Sequence, residues 1–230
     1  SEPKAVYKHL DWLEAQLPFP VHRVTAGSLR EQIMTAMAGK GRMDGRPPFF
    51  SRRGGMLRRQ CTHDFKITPI ERKVRELLGL KKYARSPKEV VVEQWIGIST
   101  DEATRMKPSR RAFIKHRWPL IEFGINRTAC LKWCANQYQG LRPPKSACTF
   151  CPFHHNDQWR DMKANDPEAF ADACVIDEAI RPGMPGPKRP VGEAWFVHRD
   201  RKPLAEVDFS DTKDDHIDQF NNECEGMCGV

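Results

Sequence analysis

Val90-Val-Val-Glu-Gln-Trp-Ile-Gly-Ile98 is the stretch on which the fold turns. It is β-branched and mostly apolar, as a strand buried within a parallel sheet would be. Gly97 permits close backbone approach at the carboxyl end of the strand, where open α/β sheets bind their ligands. Thr100-Asp101 then caps a short helix through Met106. Upstream, residues 3–16 read as an amphipathic helix, Phe19-Pro-Val-His-Arg-Val24 as a short strand, and Leu29, Ile33, Ala36 and Met37 as the face of a second helix. Helix–strand–helix is an α/β rhythm. A further helix runs from Pro69 to Leu80.

Downstream, residues 119–124 and 126–138 lead into a cysteine-rich window, and Asn156-Asp157 and Asp166-Pro167 cap helices over about 158–165 and 167–180. Residues 39–60 are rich in Gly, Pro and Arg without periodicity and read as a long mobile loop. Residues 182–190 form a turn-rich linker, followed by a hairpin from Trp195-Phe-Val and Leu204-Ala-Glu-Val and by an acidic tail. The expected division is an α/β core over 1–125, a Cys-rich helical metal-binding region over 126–181, and linker, hairpin and tail over 182–230.

The chain has 230 residues, enough for a sizeable core. It has no run of 18 apolar residues, which excludes a membrane-spanning helix, and residues 1–17 have no signal-peptide pattern. A cytoplasmic, reducing setting is therefore expected, in which the cysteines act as metal ligands or redox groups. Cys130-Leu-Lys-Trp-Cys134 places two thiols on one helix face, and Cys148-Thr-Phe-Cys151-Pro turns two more toward one centre. Such thiolate sets hold zinc or an iron–sulfur cluster. The competing reading is a set of small buried hydrophobes.

The net charge of +8 is unevenly spread. Residues 40–60 hold seven cations against Asp44 alone, residues 105–117 hold six with no acid, and the tail reverses the sign. Two basic blocks point to an anionic partner: a nucleotide, a polyphosphate or nucleic acid. Solvated surface with a self-docking acidic tail is the alternative.

Three stretches together resemble a known family. Cys61-Thr-His-Asp-Phe-Lys66-Ile-Thr-Pro69-Ile is similar to a Cys-x4-Lys-[Val/Ile]-x-Pro-Leu segment of phosphoadenylyl-sulfate (PAPS) reductases. Trp95-Ile-Gly97-Ile-Ser99-Thr-Asp-Glu102-Ala-Thr-Arg105 resembles their strand-end element. Trp118-Pro-Leu and Cys148-x2-Cys151 resemble segments that lie downstream of that element in the same reductases. The family belongs to the PP-loop superfamily and is related to DNA phosphorothioation sulfurtransferases; the likeness covers about residues 1–155. It implies a Rossmann-like parallel sheet flanked by helices. It also implies a [4Fe–4S] cluster on Cys61, Cys130, Cys148 and Cys151, with zinc as the alternative metal and Cys134 as the alternative to Cys130.

An adenine nucleotide or sulfonucleotide would lie at Gly97, Ser99, Glu102 and Arg105, with Glu102 holding a ribose hydroxyl and Arg105 a phosphate. Lys66 would attract sulfate or phosphate beside Cys61. Arg52, Arg53, Arg58 and Arg59 would close over the substrate anion. Glu223-Cys224-Glu225-Gly226 resembles the tail whose cysteine attacks sulfonucleotide sulfur, so Cys224 would be the sulfur-handling thiol, regenerated by a thiol reductant. The chain lacks the family's Ser-Gly-Gly phosphate loop and the strand before it, which are expected on a separate segment or to be absent. The expected function is sulfur reduction or transfer on an adenylylated or sulfonucleotide substrate. The alternatives are a sulfurtransferase modifying DNA or RNA, and a zinc-stapled nucleic-acid-binding module without catalysis.

Overall fold

A computed structural model of the chain describes residues 2–183 and 193–210. It divides into two compact units that do not follow breaks at 125 or 181. One gathers residues 2–21, 26–65, 145–183 and 193–210; the other gathers residues 22–25 and 66–144.

The first unit is built on α7 (Pro167–Ile180). Asp166 caps this helix by accepting the Ala169 N–H at 3.2 Å, and Pro167 occupies its first turn, where a missing N–H costs nothing. Ala169, Phe170, Ala173, Ile176, Asp177 and Ile180 recur on one face and are buried. Against this face pack α2 (Leu29–Met37), α6 (Asn156–Asn165), β4 (Trp195–Phe196) and a 3₁₀ turn over Leu204–Glu206. Ile33, Phe49, Phe150, Trp159 and Val197 complete a core in which each is fully enclosed. Burying such a side chain stabilises by about 1.5–3 kcal/mol. The unit's sheet is only β1 (Phe50–Ser51) antiparallel to β4, so the helix core and not the sheet holds it together. The amphipathic helix expected at the start is α1 (Lys4–Gln16), which buries Val6 and little else.

Three expectations for this unit are overturned. Residues 19–24 form no strand. Residues 39–60 are not a loose loop: Met43 and Phe49 sit in the core, Ser51 is buried, and residues 49–57 form a tight hairpin. The apolar Pro47-Pro-Phe-Phe50 run drives this burial despite the surrounding arginines. The hairpin expected from 195–197 and 204–207 does not form either. The Asp177 carboxylate, fully buried, accepts the Val197 N–H at 2.8 Å, the Leu204 N–H at 3.1 Å and an Arg181 N–H at 2.6 Å. It thereby satisfies backbone donors that a partner strand would otherwise take.

In the second unit β2 (Val92–Trp95) runs parallel to β3 (Ile114–Arg117), with Val92 opposite Ile114 and Trp95 opposite Arg117. Ile96, Ile98, Phe113 and Ile114 are buried here. Parallel pairing is as expected, but burial of this strand on both faces is not observed: Val90, Val91 and Trp95 are 56, 52 and 61 % exposed. One face instead carries a charged cover, with the Arg117 guanidinium 5.2 Å from the Trp95 ring and ion-paired to Glu93 and Glu122. The chain is thus an α/β protein rich in helix, and its two small sheets do not make a clear Rossmann-like arrangement. Among the described residues no helix is long and apolar enough to cross a membrane.

Candidate functional site

The first unit brings Cys61, Cys148 and Cys151 into one neighbourhood. Cys61 opens a helical run that continues through a π-helical turn, His63–Ile67, into α3 (Thr68–Leu77). Residues 45 and 46 fix its start: the Arg46 carbonyl accepts the Gln60 and Cys61 N–H groups, and the Arg46 side chain bonds Gln60 at 2.9 Å. Gly45 adopts φ +62°, and a Cβ there would stand 2.4 Å from the Phe65 ring, so only glycine admits this approach. Lys66, half-buried, stands in the π turn. Turns of this kind are frequent at functional sites.

Cys148 and Cys151 are the ends of a turn closed by Cys151 N–H to the Cys148 carbonyl at 3.0 Å. Phe150 plugs the turn into the core, and the buried Thr149 hydroxyl donates at 3.3 Å to Asp172 on α7, which is itself paired with Arg30 on α2. His154 closes the other side, its Nε2–H donating to the Cys148 carbonyl at 2.8 Å and its ring edge-on to Trp159. Burial holds the His154 pKa down at about 4, against the bonds to Cys148 and Gln158, so the ring is neutral at pH 7. His155 then caps α6 in a reciprocal box with Gln158.

Burial raises the Cys151 thiol above its ordinary value, and the nearby Cys61 thiolate pushes the same way. The Phe153 N–H, Arg59 and Lys145 act against them. Arg59 packs over the Phe153 ring at 4.7 Å. Cys61 and Cys148 both rest on the hydrophobic core.

Cys130, the fourth expected ligand, belongs to the second unit, on α5 (Arg127–Gln137) with Cys134 one turn further along. Its thiol is raised chiefly by burial and then by Cys134. The strand-end segment is joined to this helix. Asp101 accepts the Arg127 N–H at 2.6 Å and Asn126 accepts that of Ala129 at 2.8 Å, so two side chains cap α5. The Thr100 N–H bonds the Ile125 carbonyl at 3.1 Å. Gly97 leads into a 3₁₀ helix over Thr100–Arg105, and the open space around Gly97 would admit a Cβ without contact. Ser99 is buried and donates to Asp101 at 3.3 Å. Glu102 and Arg105, expected to hold ribose and phosphate, are ion-paired to each other and both largely buried.

Of the four substrate-anion arginines, Arg52, Arg53 and Arg58 are exposed and Arg59 is half-buried. Cys224 lies outside the described residues. Sequence reasoning missed Thr149, His154, Asp172 and Arg30. His154 had a visible signal, since it follows Cys-Pro-Phe directly. Asp172 and Arg30 had none, because the fold alone brings α2 and α7 to the cysteine turn.

In kind, the thiols of the first unit fit a thiophilic metal. In place, they approach without closing: among the described residues no group of three or more His, Cys, Asp or Glu side chains is arranged to hold an ion. No chemical step is therefore routed through a metal. Comparison with family models, curated proteins and solved structures yields no match to this chain.

Proposed function

We propose that the chain is a sulfur-handling enzyme of the PAPS-reductase-like kind, acting on an adenylylated or sulfonucleotide substrate. Thiolates of Cys61, Cys148 and Cys151 would anchor an iron–sulfur cluster or, alternatively, zinc. One observation carries this reading. Cys61 and the Cys148–Cys151 turn lie 86 intervening residues apart in sequence, yet Cys61 and Cys151 stand near enough for their charges to oppose each other. A thiophilic cation between them would favour the thiolate form that burial disfavours at Cys151, and Arg59 and Lys145 already act against that burial.

The nucleotide is assigned to Gly97, Ser99, Glu102 and Arg105. Its binding would exchange the Glu102–Arg105 pair for contacts to ribose and phosphate, with Lys66 and Cys224 handling sulfate and sulfur. Anaerobic purification with iron, sulfide and zinc analysis tests the metal. Iron and acid-labile sulfide, lost in Cys61→Ser, Cys148→Ser and Cys151→Ser, are expected. Stoichiometric zinc without sulfide would replace the cluster by zinc, and absence of any metal would sink the assignment.

A further inference from the structure

The two basic blocks behave differently once folded. In 105–117 three of the six cations are paired internally: Arg105 with Glu102, Arg111 with Glu71, and Arg117 with Glu93 and Glu122. Residues 45–61 contain five arginines, no lysine and no acid. Among the described residues, Arg52, Arg53 and Arg58 have no ion-pair partner, and all three are exposed.

These arginines ride on a stiff ribbon. The Phe49 carbonyl accepts the Leu57 N–H at 2.9 Å, Ser51 N–H bonds the Gly55 carbonyl at 3.1 Å, and Gly54 N–H closes the turn onto the Ser51 carbonyl. Gly54 and Gly55, at φ +101° and +85°, permit that turn. The ribbon's other edge is tied to the chain by β1–β4 pairing and by Arg52 N–H to the Ala194 carbonyl at 3.0 Å. Phe49 and Leu57 face the core, which leaves Arg53 and Arg58 on the solvent side, while the exposed Arg52 guanidinium lies 5.9 Å from the Phe196 ring. Arg53 sits in the turn and Arg58 on the return segment beyond it, just past Leu57, whose N–H pairs with the Phe49 carbonyl. That is a spread array suited to successive phosphates, and guanidinium forks match phosphate oxygens in bidentate fashion. Glu193, beside the ribbon, accepts a hydrogen bond from the Ser51 hydroxyl.

We propose that the 49–59 hairpin docks on B-form duplex DNA, with Arg52, Arg53 and Arg58 on the phosphodiester backbone. The exposed Arg52-Arg53-Gly54-Gly55 tip can approach the wide, roughly 12 Å major groove of B-DNA, whereas the deep, narrow major groove of A-form RNA excludes it. The proposal does not rest on the sulfur-chemistry reading.

The test is fluorescence anisotropy with the full chain and a labelled 20-base-pair DNA duplex of arbitrary sequence, over a salt series from 50 to 300 mM. The expected result is low-micromolar binding at 100 mM salt with a steep salt dependence. Arg52→Ala/Arg53→Ala/Arg58→Ala should weaken it at least tenfold and flatten the log–log salt slope by about 2–3. Lys81→Ala/Lys82→Ala/Arg85→Ala removes the same charge elsewhere and should change affinity less than threefold. The triple Lys variant of the hairpin should keep most of the salt slope. Equal loss in both alanine triples, equal or tighter binding of an RNA duplex of the same sequence, or no duplex binding would each overturn the proposal. So would loss of adenine-nucleotide binding in the hairpin triple with duplex binding intact, which would make the hairpin a substrate-anion loop. Metal content should be the same in all variants, which separates this result from failure of the metal assignment.

Discussion

His154 shows how a single buried ring ties acid stability to the cysteine turn. Its neutral form donates to the Cys148 carbonyl, and burial keeps its pKa at about 4 against 6.5 for a solvated histidine, with Lys145 and His155 pushing the same way. The folded pKa is lowered, so the unfolded chain binds the proton more readily. The contribution is therefore whole above pH 6.5 and lost as pH falls toward 4. The full loss is on the order of 3 kcal/mol. Urea melts of metal-free protein at pH 7.5, 6.5, 5.5 and 4.5 should show this decline, and His154→Gln should lack that part of it. Identical pH slopes in both proteins would refute the assignment.

At the scale of elements, the Cys148–Cys151 turn is held from two directions: by the Thr149–Asp172–Arg30 chain linking it to α7 and α2, and by His154 at the entrance to α6. Asp172→Ala should loosen the turn without emptying the core. Its metal affinity should fall by about 10–100-fold, as for other groups that orient ligands from behind. Competition with a chromophoric chelator reads this directly, and unchanged affinity would show that the chain from Thr149 to Arg30 does not position the turn. The helices bearing these groups are legible in the sequence because their signals are local: Asp166-Pro167 starts α7 where expected, and Leu29, Ile33 and Ala36 form the buried face of α2. The strand β3 is hidden because basic residues dominate its stretch. Yet Ile114 and His116 alternate inward with Lys115 outward, which is the period-two pattern of a strand. The 49–57 hairpin is hidden because its partner β4 lies about 145 residues further along, and no local pattern reports such pairing.

At the scale of the whole molecule, two compact units imply two unfolding events. Asp177→Ala removes the acceptor of three donors in the first unit and leaves Arg181 facing a buried gap, a loss of about 3 kcal/mol or more. Calorimetry should show one of two transitions moving to lower temperature and the other unchanged; a single transition shifted as a whole would contradict the division. The α/β character and most helices are legible in the sequence. The extent of the sheets is not, because the apolar content of residues 90–98 does not reveal how many strands lie beside them.

The interleaving of the units also orders events on the ribosome. Residues 26–65 are made before the 66–144 part of the second unit, but their packing partners begin only at 145, roughly 80 residues later. At about 5–20 residues per second this is a wait of roughly 4–16 s. During it, α2, the arginine hairpin and Cys61 have emerged while α7, β4 and the Cys148–Cys151 turn have not. The described residues of the second unit end at 144, so that part can fold first, as an insertion within the first. For those seconds Cys61 is a thiol without its neighbours, so the nascent chain is most vulnerable to oxidants, and most dependent on holdase chaperones, while residues 66–144 are being made.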